Sequence, residues 1–200
     1  MSFSQPPNRP PLRKLAPWVI GAMALVVWLM LGNLAGLARS AQAGGEPLPE
    51  YAVKSAYLYQ FTHFVEWPSD AFGDAHAPFI LCVLGEDPFG QALDVLMKKT
   101  SQARRLLVQR VRQVKEAESC HVLFISASEK DHVAQALSSL ATRSLLTVSD
   151  IEGFAQDGGI VEFVERENKI RFAINVRAAN KAGIRISSKL LSLALIVGAP

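Results

Sequence analysis

Acidic residues are absent from the first 43 positions of this 200-residue sequence, which hold four bases. The other 17 bases and all 18 acids follow, so the net charge of residues 44–200 is about −1, whereas that of the whole chain is +3. A nearly neutral chain lacks the concentrated positive charge that attracts phosphate backbones. This charge balance excludes nucleic acid as an expected partner.

The sequence signatures of common hydrolases and nucleotide-binding enzymes are also missing. The chain has no GxSxG, SxxK, HExxH or Walker sequence. Its four histidines, His63, His76, His121 and His132, stand outside any recognisable catalytic context. The two cysteines have no CxxC spacing and supply too few ligands for a metal ion. We therefore predict no catalytic residue, no metal site and no cofactor, and we expect a protein that is not an enzyme.

A long uncharged stretch lies near the N-terminus. Residues 15–38 are rich in Leu, Val and Ala, follow a short basic segment, and precede the small-x-small sequence Ala41-Gln42-Ala43. This layout is typical of a secretory signal peptide. We predict a signal peptide over residues 1–43 that is cleaved after Ala43, and a single domain over residues 44–200 outside the cytoplasm. An uncleaved membrane anchor is the alternative, because the stretch is long enough to span a bilayer.

Helical and extended patterns alternate along the rest of the chain. Val53, Tyr57, Phe61 and Phe64 recur at the spacing of one helix face, which predicts a first helix that ends before Pro68. Further helices are predicted over residues 88–99, 128–141 and 176–182 and from Ser188 onward. Strands are predicted over residues 79–85, 105–111, 121–126 and 144–149, with a hairpin in 158–176. The fold class is therefore α/β, with a mostly parallel sheet, helices on both faces and a C-terminal antiparallel hairpin.

The two cysteines, Cys82 and Cys120, favour a disulfide in an exported chain. Cys82 lies in the first predicted strand and Cys120 just before the third. These two strands are commonly neighbours in doubly wound sheets, which would bring the residues within bonding distance. The alternative is a pair of buried thiols that act as small core residues.

The segment GEDPFG after the first strand has the layout of a phosphate-binding loop. However, Glu86 and Asp87 place negative charge where a phosphate would lie, and Pro88 removes a donor N–H. A structural role fits better, with Asp87 as the N-cap of the next helix and Pro88 at its first position.

Four segments together resemble the YfiR-like family of exported bacterial proteins: YAVKSAYLYQFTHFVEWP, FILCVLGEDPFG, CHVLFIS, and the run from LLTVSDIEGF through ISSKLL. The resemblance covers nearly all of residues 51–197. It implies a periplasmic α/β domain, often a homodimer, that represses an inner-membrane diguanylate cyclase by contacting the cyclase's periplasmic sensor region. Cys82 and Cys120 match a family cysteine pair, whereas a second pair found in some members is missing here.

Candidate partner-binding residues come from the aromatic first helix and from polar positions in the C-terminal half. They are Tyr59, Trp67, Glu162, Arg171, Asn175 and Arg177. Glu162 and Arg177 could instead be ordinary solvated positions, and Asn175 could cap the helix that follows it. A periplasmic small-molecule sensor without a cyclase partner is the alternative function, and it would require a concave apolar pocket.

Overall fold

The computed structural model describes residues 49–74 and 76–198, and these fall into one compact unit. The predicted signal peptide over residues 1–43 lies outside the described residues, so its cleavage after Ala43 stays a prediction. No helix within the described residues is long and apolar enough to cross a bilayer.

The centre of the fold is an eight-stranded sheet in the order β10-β8-β7-β6-β5-β2-β4-β3. The pairs β7–β8 and β3–β4 are antiparallel, and the other neighbours in this sheet are parallel. A separate antiparallel pair joins β1 to β9. The strands are β1 (Val65–Glu66), β2 (Phe79–Leu84), β3 (Thr100–Ser101), β4 (Arg104–Val111), β5 (Val122–Ile125), β6 (Leu146–Ser149), β7 (Val161–Arg166), β8 (Lys169–Asn175), β9 (Arg185–Ile186) and β10 (Leu195–Val197).

Helices cover both faces of the sheet, as predicted. They are α1 (Glu50–Phe64), α2 (Gln91–Asp94), α3 (Val133–Leu140), α4 (Val176–Lys181) and α5 (Ser188–Leu191). Short 3₁₀ turns span Ser69–Ala71, Val95–Lys98, Val114–Ser119 and Ala127–His132. The predicted α/β class, with a mostly parallel sheet and a β7–β8 hairpin, is confirmed.

Two hydrophobic cores lie on opposite faces of the sheet because successive strand side chains point to opposite sides. In β2, Leu81 and Val83 enter the core beneath α1 and α2, whereas Cys82 and Leu84 enter the core beneath α3. Because both faces of β2 are buried, its sequence is a nearly continuous apolar run.

The buried face of α1 is rotated relative to the predicted one. Phe61 lies in the core as expected, but Val53, Tyr57 and Phe64 are only partly buried. The fully covered positions are Lys54, Ser55, Leu58, Phe61 and Thr62. Lys54 is tolerated there because it pairs with Asp150, the residue that follows β6, and the local pattern does not reveal this distant partner.

Three helices have boundaries that differ from the predictions, and the one predicted over residues 128–141 becomes α-helical only at Val133, after the 3₁₀ turn Ala127–His132. Helix α2 begins at Gln91, three residues after Pro88, so Asp87 is not its N-cap. Asp87 instead accepts the Phe89 N–H at 2.8 Å in a local turn and pairs with Arg110.

The C-terminal helix predicted from Ser188 ends at Leu191, because the chain then pairs with β8 as strand β10.

Candidate functional site

The usual ligand site of such a fold lies at the carboxyl ends of the strands, where the chain connections diverge to opposite sides. Here that point falls between β2 and β5. It is filled by the chain itself: a Cβ added to Gly85 would lie 2.4 Å from Ser128 Oγ and 2.9 Å from Glu129 Cγ. Ser128 Oγ also accepts the Glu86 N–H at 3.0 Å. The crevice therefore has little room for a ligand.

The carboxyl end of β6 is closed by a buried ion pair. Lys54 Nζ lies 2.6 Å from Asp150 Oδ2, and Tyr51 donates its hydroxyl to the same oxygen at 2.9 Å. Glu50 is a second, exposed partner of Lys54. Burial, followed by the hydrogen bond to Asp150, raises the pKa of Tyr51 far above its usual value. This cluster joins α1 to the sheet, and sequence analysis missed it because its partners are 96 positions apart.

His121 holds the loop that precedes β2. Its Nδ1 accepts the Ile80 N–H at 3.0 Å, and its Nε2 donates to the Ala71 carbonyl at 3.2 Å, so the ring is neutral with its proton on Nε2. The Phe72 ring stacks on the imidazole at 4.4 Å between centroids. With both nitrogens occupied, His121 has a structural role.

The acid sensitivity of the fold is expected to depend on His121. Burial lowers the pKa of this imidazole, and the nearby Arg104 guanidinium lowers it further. The unfolded chain therefore binds a proton more readily, so the free energy of unfolding should fall as the pH drops below about 6.5 toward the folded-state pKa. Urea unfolding between pH 7 and pH 5 measures this slope, and His121→Gln should flatten it. The exposed His132→Gln serves as the control, and equal slopes for wild type and His121→Gln would contradict the assignment.

Trp67, one of the candidate partner residues, is half-buried. Its indole N–H donates to the His121 carbonyl at 3.2 Å, and its ring packs edge-on against Phe79 at 5.0 Å. Tyr59 is also partly buried, with its hydroxyl donated to the Thr100 carbonyl at 3.0 Å and Lys99 over its ring. Both side chains make intramolecular contacts that account for much of their surface.

Glu162 and Asn175 lie inside the protein, so the expectation that they are exposed partner residues is wrong. The Glu162 carboxylate accepts the N–H groups of Gly153 and Ala155 at 3.1 and 3.0 Å. Asn175 donates to the Ala155 carbonyl at 2.7 Å and accepts the Ala178 N–H at 2.9 Å, which confirms the predicted cap of α4. The two side chains meet at Ala155 and hold the turn between β6 and β7.

Replacing Glu162 with glutamine should therefore destabilise the fold by about 2 kcal/mol, because one backbone N–H would face an amide NH₂ instead of an oxygen. Urea unfolding measures the loss. Glu165→Gln, at an exposed position on the same strand, should change stability by less than about 0.5 kcal/mol. A similar small change for Glu162→Gln would show that its two hydrogen bonds matter little.

Arg171 and Arg177 are exposed, as expected of partner residues. They stand near the edge of the sheet formed by β8 and β10. The six candidates therefore do not form one surface: two hold a turn, one lies on α1 and one follows β1, and two remain available at the sheet edge.

The cysteines form a disulfide, with Cα atoms 5.9 Å apart. Cys82 is fully buried and Cys120 is 7% exposed. Cys120 lines a shallow polar cavity of about 450 Å³ together with Asp70, Glu118 and Arg143. Small reductants in this cavity would approach the bond from the Cys120 side.

A second concave region separates α3 from α4. This groove has a volume of about 450 Å³, and its apolar lining includes Leu137, Leu145 and Ile160. Asp157, Arg177 and Lys181 supply charged groups along it. The groove therefore combines an apolar lining with charges of both signs.

No group of three or more His, Cys, Asp or Glu side chains that could hold a metal ion occurs within residues 49–74 and 76–198.

The sequence profile of the YfiR/HmsC-like family matches residues 51–195, which include every strand of the fold except the last two residues of β10. Among curated proteins, no match to the chain is found. A YfiR/HmsC-like domain is characteristic of periplasmic regulators, whose role is regulatory and not catalytic. The chain belongs to the YfiR/HmsC-like family.

Proposed function

We propose that this protein is exported to the periplasm by its N-terminal segment and represses an inner-membrane diguanylate cyclase by binding that enzyme's periplasmic sensor region. The observation that carries the proposal is the family match over residues 51–195. The fold adds support, because the crevice between β2 and β5 is occupied by Ser128 and Glu129. A protein whose usual ligand site is filled is better suited to act through its surface.

Repression of this kind needs no chemistry in the repressor. A protein that binds the inactive sensor conformation more tightly than the active one shifts the cyclase toward the inactive state. To move the cyclase from 99% active to 99% inactive, the difference in affinity must reach about 10⁴-fold. The repressor must also be in excess, and its release then restores the synthesis of cyclic-di-GMP.

We also propose that the protein forms a homodimer and that loss of the Cys82–Cys120 disulfide weakens repression. The disulfide joins β2 to the segment before β5 at the centre of the sheet, so its reduction would loosen the scaffold that positions any partner surface. A Cys82→Ser variant at normal abundance with full repression would contradict the second proposal.

Capture from detergent-solubilised membranes tests the proposed function. The full-length chain is produced in its source organism with an affinity tag, and the retained membrane proteins are identified and then purified. We expect to recover a membrane protein that has both a periplasmic region and a cyclase domain, and to measure saturable binding of its purified periplasmic region. If folded, oxidised bait retains no such protein, the proposal fails.

The groove between α3 and α4 favours one alternative, a periplasmic small-molecule sensor. Its volume of about 450 Å³ is in the range of small-ligand pockets, and its charges of both signs could orient a polar ligand. Thermal unfolding in the presence of a metabolite library tests this function. A ligand that raises the melting temperature of the wild type, but not that of an Ala178→Trp variant with a filled groove, would support it.

A further inference from the structure

The outer edge of the sheet at β10, together with the turn that leads into it, is an apolar surface that carries no charge. Leu193, Leu195 and Ile196 are 67%, 38% and 47% exposed, and they are three of the five large hydrophobic side chains with such exposure in the described part of the chain. Strand β10 pairs with β8 on one side and ends the sheet on the other. Among residues 49–74 and 76–198, none pairs with its outer backbone groups, which are therefore available to a further strand.

Edge strands of monomeric proteins are usually protected by charged side chains, proline or a covering loop. β10 lacks protective charges and proline, because residues 190–198 contain neither a charged residue nor a proline. The neighbouring edge of β8 is different: Lys169 and Arg171 are exposed there, before the point where Leu195 pairs with Ala173. The edge is thus open to pairing at β10 in particular.

Bases surround this uncharged edge. Arg171 precedes the start of the β8–β10 pairing, and Arg177 lies beside its end, where its Nε would be 3.2 Å from a Cβ added to Gly198. Lys189 is exposed on α5, six residues before β10 along the chain, and its Nζ lies 5.5 Å from the centre of the Phe64 ring. None of these three bases has a carboxylate within 4.0 Å among residues 49–74 and 76–198. Within that part of the chain, no carboxylate therefore neutralises these three bases.

We propose that β10 accepts an extended apolar segment of the membrane partner as an added strand, and that acidic residues flanking this segment pair with Arg171, Arg177 and Lys189. The proposal rests on the proposed function, since it names where the cyclase's periplasmic region docks. Backbone hydrogen bonds of an added strand supply affinity, and side chains on either face supply specificity. The bases favour this heterologous partner over a second copy of the chain, because a copy would bring like charges together.

Binding of the purified periplasmic region of the captured cyclase tests the proposal. Ile196→Glu places a negative charge in the apolar edge and should weaken binding by about 30-fold, as expected for a central interface residue. Val95→Glu is the matched control, because Val95 is 59% exposed at the opposite end of the sheet, and it should change the affinity by less than about threefold. Both variants must keep the wild-type melting temperature. Arg171→Glu combined with Arg177→Glu should also weaken binding and reduce its salt dependence.

The outcomes separate this proposal from the proposed function. Unchanged affinity of Ile196→Glu for a cyclase that binds the wild type overturns the docking site while repression stands. If Ile196→Glu instead dissociates a homodimer and the double arginine variant strengthens it, the edge binds a second copy and the proposal is wrong.

If no cyclase region binds the wild type, the proposed function fails, and the edge is then tested with a synthetic peptide of three valines flanked by aspartates. Slower amide hydrogen exchange at residues 195–198 of the wild type, but not of Ile196→Glu, would support strand addition. No protection at saturating peptide would overturn it.

Discussion

Replacing Lys54 with methionine should lower the free energy of unfolding by about 3–5 kcal/mol. Lys54 and Asp150 are almost fully buried, with side chains only 5% and 9% exposed, and their charged atoms are 2.6 Å apart. Methionine would fill a similar space but leave the Asp150 carboxylate without its counter-ion. Asp150 is poorly placed to compensate, because its Oδ1 has no hydrogen-bond partner within the described residues.

Urea unfolding of the full-length chain measures this loss. Lys130→Met, at an exposed position in the turn before α3, is the matched control and should change stability by less than about 0.5 kcal/mol. A double variant, Lys54→Met with Asp150→Asn, should recover part of the loss, because it removes the uncompensated charge and keeps an acceptor for Tyr51. A loss below about 1 kcal/mol for Lys54→Met alone would mean that the pair is not buried as the structure shows.

Removing the disulfide should cost about 4 kcal/mol of stability. The cysteines are 38 positions apart, and a cross-link closing a loop of this length restricts the unfolded chain by about that amount in the chain-entropy model. We expect a Cys82→Ala, Cys120→Ala variant to unfold at a clearly lower urea concentration than the oxidised wild type. Alanine suits both positions because both side chains are buried among apolar residues.

The reduced wild type provides the control for this variant. If the cross-link is the source of the stability, the wild type in a strong reductant should unfold at nearly the same urea concentration as the double alanine variant. Identical unfolding of the wild type with and without reductant would contradict the expected contribution of the bond.

The sheet could be predicted from the sequence because its strands are buried on both faces. β2 and β5 are short, continuous apolar runs, whereas β6 is buried but half polar; helical segments follow β2 and β5, and this alternation is typical of a parallel sheet. The cysteine pair could be predicted for the same reason, since the order of the strands brings β2 beside β5. The hairpin was also clear: β7 and β8 flank a polar two-residue turn in which Glu167 and Asn168 both have positive φ.

The C-terminus could not be predicted because its sequence fits two periodicities. The run LLSLALIVG contains apolar residues at both helical and extended spacing. Pairing of Leu195 with Ala173 decides between them, and this contact is distant in the sequence. The sequence therefore predicts a helix where the structure has β10, the edge strand that we propose as the docking site.

The expectation that Glu162 is exposed is wrong for a related reason. Strand alternation places Val161 and Phe163 in one core, which suggests that Glu162 faces solvent. The turn between β6 and β7 covers that side instead, and it uses the Glu162 carboxylate to bind its own N–H groups. Local periodicity predicts to which face of a strand a side chain points. It does not predict whether a loop from elsewhere in the chain covers that face.

The concentration of cyclic-di-GMP in cells that lack this gene tests the central claim most directly. Repression of a cyclase predicts that deletion raises the concentration, that the exported wild type restores it, and that a form retained in the cytoplasm does not. An unchanged concentration after deletion, in cells where the protein is normally abundant and oxidised, would contradict the account.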